Sequence, residues 1–368
     1  GHIEGKPAVW TFDPVSNSIV GFDAYDGVRG EIYGANVLEG GVVFYGVAQA
    51  KSGEYEAAYF TAEGSDPRGL SISGHTIVAE IASDSGDGGH SIIMDAVHDG
   101  RELHTGGFIS GDPLGPGAQW WSADPGLSYY AFGRYLEQVN YIDRDQAVFD
   151  LASVPYLPAP EYDLLGGAWS AGVALFDDGE AVMWRSDPPN FDEVPLQKND
   201  PGALEQAFGA DGGSTFTLVG GHRGGGAAYW IYDTSNPGSP ALEEVPLDPP
   251  GTSSFVFGVD EAGRDRLGFA GMRGARPVVW NDSKPAGEEL GTKDGFAFDV
   301  IEHGWFDSDG KASVTDRIVG GQYEGLPFLW AESTGEYTQE ALVIDEQGDG
   351  RINRVVPFSL SGFYRWQK

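Results

Sequence analysis

Residues 318 to 334 read IVGGQYEGLPFLWAEST. A β-branched pair runs into Gly320 and Gly321, a short mixed segment follows, and an apolar run closes on Trp330. Runs of β-branched and aromatic residues interrupted by glycine read as short strands joined by turns. The same grammar returns in VGGHRGGGAAYWIYD around Trp230 and AGMRGARPVVWNDS around Trp280. Looser copies are PAVWTFDP at Trp10, EYEAAYFTAE at Tyr59, GPGAQWWSAD at Trp120 and Trp121, and GEAVMWRSDP at Trp184. The anchors recur about every 50 residues, a period that fits one four-stranded propeller blade per unit.

Upstream of the late copies lies an acidic, glycine-containing turn between strand-like runs, as in VDEAGRDRLGFAG, FDSDGKASVTDRIVGG and FGADGGSTFTLVGG. The unit therefore reads as a strand, an acidic turn, a second strand ending in small residues, a variable loop, a third strand ending in Trp, and a fourth such as LEEVPL or QEALVI. The expected fold is an all-β, seven-bladed β-propeller of four-stranded antiparallel blades. PAVWTFDPVSNSIVGF resembles only the last two strands of a unit, and RVVPFSLSGFYRW near the C-terminus could supply the first two. Sharing one blade between the termini would remove the open edges of a split sheet. Residues 6–368 then form a single domain, with a decorated blade around residues 75–160, where HSIIMDAVHDG and SYYAFGRYL add strand-like pieces. The opening GHIEG looks like an expression-tag remnant, and residues 1–5 are set aside on that reading.

DRIVGGQYEGLPFLW and its copies resemble the secreted bacterial HAF extracellular repeat, and GG followed by YWIYD is similar to kelch. The likeness covers residues 204–344 best. It implies a propeller and an extracellular or periplasmic setting, and carries over no catalytic residue.

Of 368 residues, 56 are acidic and 22 basic, for a formal charge of -34. Such a field opposes nucleic acid and anionic lipid. Only seven of the basic residues are Lys, a balance suited to high salt, where ions screen the self-repulsion. Cysteine is absent, which excludes disulfides and thiolate metal sites. No apolar run reaches the ~18 residues of a membrane span.

In a propeller the loop between second and third strands opens on the face where ligands usually sit. This places Lys51 and Tyr55, Asp112, Asp177, Asp178 and Glu180, His222 and Arg223, Arg273 and Arg276, and Gln322, Tyr323 and Glu324 around one rim. The recurrent Trp residues are read as packing between blades. Trp120 and Trp121 point to opposite faces of one strand, and Trp121 is the candidate sugar platform. The glycines around His222 let the backbone approach a ligand and leave its imidazole free to move, with a mobile loop bearing an ordinary exposed His as the plain alternative. Arg273 and Arg276 suit a carboxylate, or else ion pairs between blades.

The expected role is a secreted ligand-binding module for extracellular carbohydrate, acting as a monomer. One alternative is a polysaccharide lyase, with Arg273 or Arg276 neutralising a uronate carboxylate and His222 or Tyr323 as base. Another is a glycoside hydrolase using a carboxylate pair such as Asp178 and Glu324. A third is a scaffold or adhesion protein whose whole rim meets protein partners. GxSxG, GxxxxGK, a dinucleotide fingerprint and HExxH are missing. His75, His90, His98 and His104 fit no zinc spacing, so no metal site is assigned. The turns at Asp307 and Asp309, and at Asp345 and Asp349, lack the terminal Glu of a calcium loop; calcium is the one ion the acidic turns leave open.

Overall fold

The strands seen in the computed structural model follow from how apolar residues lie along the chain. The second strand of the sixth sheet buries Leu267, Gly268, Phe269, Ala270 and Gly271 without a break. An uninterrupted buried run belongs to a sheet covered on both faces, whereas a half-solvated sheet alternates. Leu267 and Phe269 pack with Phe216, Leu218 and Trp280 in one core, while Ala270 joins Val300, Val319 and Trp330 in the next. Each sheet is thus a layer between two neighbours.

The structure describes residues 1–13, 18–38, 41–63, 69–77, 90–98, 103–110, 117–123, 136–144, 146–154, 167–174, 181–187, 190–196, 205–212, 216–233, 235–236, 239–261, 267–281, 284–292, 294–306, 312–323, 326–331 and 337–338. These residues form six four-stranded sheets and one of three strands, all antiparallel and each wound as a simple meander. In chain order the sheets span His2–Ala24, Gly30–Ile77, His90–Arg144, Gln146–Pro195, Glu205–Pro246, Ser254–Glu289 and Gly295–Thr338. From the second sheet onward the first strand of each touches the first strand of the next, and the two strands of the first sheet that carry Trp10 and Phe22 touch the second sheet. The four-stranded unit read from the sequence is therefore present. HSIIMDAVH falls on the first strand of the third sheet, and Leu136, the last residue of SYYAFGRYL, opens its last strand. The segment RVVPFSLSGFYRW lies outside the described residues.

One irregularity repeats. In every four-stranded sheet the first strand slips by one residue against the second, leaving an extra residue at Tyr33, Met94, Phe149, Phe208, Phe257 and Phe298. Such a bulge bends a strand and re-aims its side chains. The small-residue pair of the sequence lies opposite it: Gly220 and Gly221 face Gly209 and Ala207, and Gly320 and Gly321 face Asp299 and Ala297. A Cβ on Gly321 would lie 2.1 Å from the Phe296 carbonyl oxygen, and one on Gly271 would lie 1.9 Å from that of Phe255. The second Gly of the opening stretch thus exists because a bulged backbone presses against it.

The sheets are stitched by recurring backbone bonds. Ser254 N donates to Gly225 O (3.1 Å), joining the sixth sheet to the fifth, and Gly295 N donates to Ala275 O (2.6 Å), joining the seventh to the sixth. The first sheet is joined to the second in the same way, by Gly30 N to Gly5 O (2.9 Å). Residues 1–5 are accordingly part of the first sheet. His2 and Ile3 pair with Pro7 and Lys6 around Glu4 and Gly5, whose φ of 50° and 79° match the 55° and 77° of Gly224 and Gly225. GHIEGKPAVW at the start of the chain aligns without a gap on GQYEGLPFLW at 321–330.

Candidate functional site

The turns between second and third strands lie at one end of consecutive sheets. Expected as variable loops, they are two-residue turns at Glu4–Gly5, Gly224–Gly225 and Gly274–Ala275, and in the seventh sheet Tyr323 lies opposite Leu326. Positive φ at Gly224, Gly225 and Gly274 is what a tight hairpin turn requires. In the second sheet the connection is longer, with Gln49 opposite Tyr55, and Tyr55 is the large hydrophobic that stands exposed there.

His222 is not on a loop. It is a strand residue opposite Gln206 and Ala227, and only 2% exposed. Phe255 of the next sheet meets its ring edge-on at 4.6 Å, and Phe208 stacks at 6.5 Å. Burial between these rings disfavours the charged imidazolium and lowers the pKa to about 4. The imidazole is thus neutral near pH 7 and shielded from a substrate on the rim. His75 lies in the fourth strand of the second sheet, where Tyr25, just past the first sheet, meets its Nδ1 at 3.3 Å through its hydroxyl; burial lowers its pKa as well. His90 and His98 occupy opposite ends of one strand, ~26 Å apart at about 3.3 Å per residue, too far to share an ion.

The rim arginines are bound to carboxylates. Arg223 pairs with Glu244 of its own sheet. Arg273 donates from Nε (3.0 Å) and Nη2 (2.6 Å) to the buried Asp248, which leads out of the fifth sheet, and Nη2 also reaches Ala286 O at 2.7 Å. Its guanidinium lies 5.7 Å above the Trp280 ring. A substrate carboxylate would have to displace Asp248 from a two-pronged geometry that already suits it. Arg276, opposite Arg273 across the turn, donates to Glu289 at 2.6 Å, and this pair is the most open, at 48% and 35% side-chain exposure. Gln322 and Tyr323 close the second strand of the seventh sheet, at the positions of His222 and Arg223 in the fifth. Asp178 and Glu324 lie outside the described residues, as do Asp112, Asp177 and Glu180.

Register settles the place of the tryptophans. Trp230, Trp280 and Trp330 stand at equivalent positions of the third strand and are buried, as packing between sheets requires. By the same count from the small pair, Trp121 opposite Thr105 belongs to this series, and Trp120 opposite Gly106 aligns with Tyr229. The sugar-platform role given to Trp121 therefore falls on a position that carries core Trp in three other sheets. In the second sheet the series member is Phe60, next to Tyr59.

The sequence reading missed the first strands of the sheets. Phe255 and Phe257 stack in parallel with centroids 6.2 Å apart, Phe257 stacks on Phe298 at 5.7 Å, and Phe208 and Phe296 meet Phe257 edge-on at 5.3 and 6.1 Å. Half-buried rings thus run across three sheets. The signal was present as IYGA, IMDA, VFDL, AFGA, VFGV and AFDV, one per sheet, each with its large residue at the bulge.

No protein-family model matches the chain, and no curated protein matches it. The likeness to HAF and kelch repeats therefore rests on the quoted motifs alone. Among solved structures, the chain is similar to a mutant of the Aleuria aurantia lectin in complex with α-methyl-L-fucoside, at 10% identity and a TM-score of 0.45, covering 89% of this chain and 95% of that one. AofleA from Arthrobotrys oligospora is similar at 11% identity and TM-score 0.44, with 84% of each chain covered. A prolyl endopeptidase matches at 13% identity and TM-score 0.46 over 82% of this chain, which spans only 41% of that enzyme. Scores in this range establish neither a shared ligand nor a shared chemistry. Among the described residues no helix is long and apolar enough to cross a membrane.

Proposed function

We propose that the chain is an exported, seven-bladed propeller that binds neutral extracellular carbohydrate at the rim of the two-residue turns. The observation that carries this reading is the recurrence there of partly open guanidinium–carboxylate pairs, Arg223 with Glu244 and Arg276 with Glu289. A planar donor beside an acceptor matches two neighbouring sugar hydroxyls, and a few convergent polar groups are enough to orient a small ligand. Tyr55 on the longer turn of the second sheet offers an aromatic face for the apolar side of a pyranose ring. The charge of -34 favours a neutral glycan over a uronate polymer. In this reading the three-stranded first sheet is the seventh blade, completed by the C-terminal segment.

The test is a screen of neutral and anionic polysaccharides by calorimetry, with product analysis for unsaturated and reducing ends. Saturable binding of a neutral glycan, weakened at least about ten-fold by Arg276→Ala, is the expected result, since one lost charged hydrogen bond is worth ~1.5 kcal/mol or more. Binding indifferent to Arg276→Ala refutes the rim as the site. Release of unsaturated ends would establish a lyase instead.

A further inference from the structure

We propose that the longer turn of the second sheet, with Arg29 beside it, binds a carboxylate-bearing sugar at the end of an otherwise neutral glycan. The inference rests on reading the rim as a sugar-binding face and adds the chemistry of the sugar it grips.

Three positions line up across neighbouring strands at this corner. Gly30 pairs with Ala48, and one step further the Gln49 amide donates to the Arg29 carbonyl at 2.7 Å. Gln49 in turn lies opposite Tyr55. Residues opposed in this way stand about 5 Å apart, so Arg29 and Tyr55 flank Gln49 roughly 10 Å from each other, a span that suits one pyranose ring and its carboxylate. The turn between Gln49 and Tyr55 is ordered by its own bonds. Ala50 N donates to Glu54 O (2.8 Å), Gly53 N to Ala50 O (3.0 Å) and Gln49 Nε2 to Gly53 O (2.8 Å). Lys51 and Tyr55 stand exposed on it.

Arg29 is exposed, and among the described residues its guanidinium has no carboxylate partner. Arg223, Arg273 and Arg276 are each held by one, and Lys6, on the first sheet beside this corner, is held by Asp26 at 2.5 Å. A Cβ on Gly5 would lie 3.9 Å from Arg29 Nε, and Gly5, at a φ of 79°, keeps that point bare of a side chain. In a chain with 56 acidic residues, an open guanidinium offers its fork to a carboxylate from outside, with the Lys51 ammonium two residues beyond Gln49 to add its charge. Tyr55 supplies a face for the apolar side of the ring. Glu4 and Glu54 border the same corner. A polyuronate would bring its further carboxylates against them, whereas a single terminal carboxylate meets the Arg29 fork.

Calorimetry with methyl β-D-glucuronide and methyl β-D-glucoside reads the preference directly. The glucuronide is expected to bind at least about ten-fold more tightly, the worth of one charged hydrogen bond. Arg29→Gln should erase that preference, and Lys51→Gln, on the exposed turn, should reduce it about two-fold. Tyr55→Ala should weaken both sugars alike, by roughly five-fold, through loss of the stacking face. The Arg29 carbonyl that meets Gln49 is main chain, so each variant keeps the local backbone, and an unchanged melting temperature checks this. Equal affinity for the two sugars, a preference that survives Arg29→Gln, or no binding of the glucuronide overturns the proposal. The rim reading is tested on neutral polysaccharides and Arg276. A neutral glycan that binds there while the glucuronide preference is absent therefore refutes this inference alone, and the converse refutes that reading alone.

Discussion

Replacing His222 with methionine should flatten the acid limb of the stability curve. The sixth sheet has Met272 at the equivalent position, so the side chain fits the register without a new strand contact. In the folded protein the imidazole pKa falls to about 4, from 6.5 in the unfolded chain. A depressed pKa means that the neutral form is the one buried. The associated stability is complete above pH 6.5 and is lost as pH falls towards 4. Carried through at full strength, the shift is worth about 3 kcal/mol, and solvent screening near the rim reduces this to roughly 2 kcal/mol. Between pH 7.5 and 5.0, still above the sequence pI of 4.3, about half of that should disappear. Urea unfolding at both pH values gives the loss for each protein, and the titration of the many carboxylates cancels in the difference. Wild type should lose about 1 kcal/mol more than His222→Met. Equal losses would refute the argument that a neutral ring is sealed between Phe208 and Phe255.

Gly271→Ala forces a methyl group against the Phe255 carbonyl oxygen and should lower stability by about 3 kcal/mol, whereas Gly53→Ala, with open space around it, should cost under about 1 kcal/mol despite its positive φ; thermal melting compares them. Arg273→Ala strands the buried Asp248 and should cost about 3 kcal/mol, and adding Asp248→Asn should recover part of it, as measured in a double-mutant cycle. Added sodium chloride should raise the melting temperature, because the charge of -34 repels itself across a surface that salt screens. A melting temperature that stays flat or falls would refute that argument.

Much of the architecture could be read from residue types alone, and the site much less. Trp230, Trp280 and Trp330 announced the third strands because a large ring recurring at one period needs a recurring cavity between layers. Gly320 and Gly321 announced the end of the second strand, but their cause, the bulge at Phe298, lies in a partner strand more than twenty residues earlier. Register across strands decides whether GGHRGGG is a loop or a hairpin, and composition is silent on register. Taken as a loop, the stretch gave His222 mobility; paired from Gly221 opposite Ala228 to Arg223 opposite Gly226, it buries the same residue. Composition is equally silent on which carboxylate Arg273 meets, since its partner Asp248 belongs to the connection from the preceding sheet. GHIEG has a composition that tags share, and it also matches GQYEG of the repeat.

The stitching bonds that join the turns at Gly5, Gly225 and Ala275 to the strand that follows engage only main-chain atoms, and Glu4, Gly5, Gly224, Gly225 and Gly274 are held at torsions few side chains accept. Change is therefore confined to the residues on either shoulder of each turn, such as Arg223, Arg276 and Tyr323. A descendant could exchange those shoulders one sheet at a time, altering what the rim grips while the frame that carries it goes on being spelled by glycine and backbone.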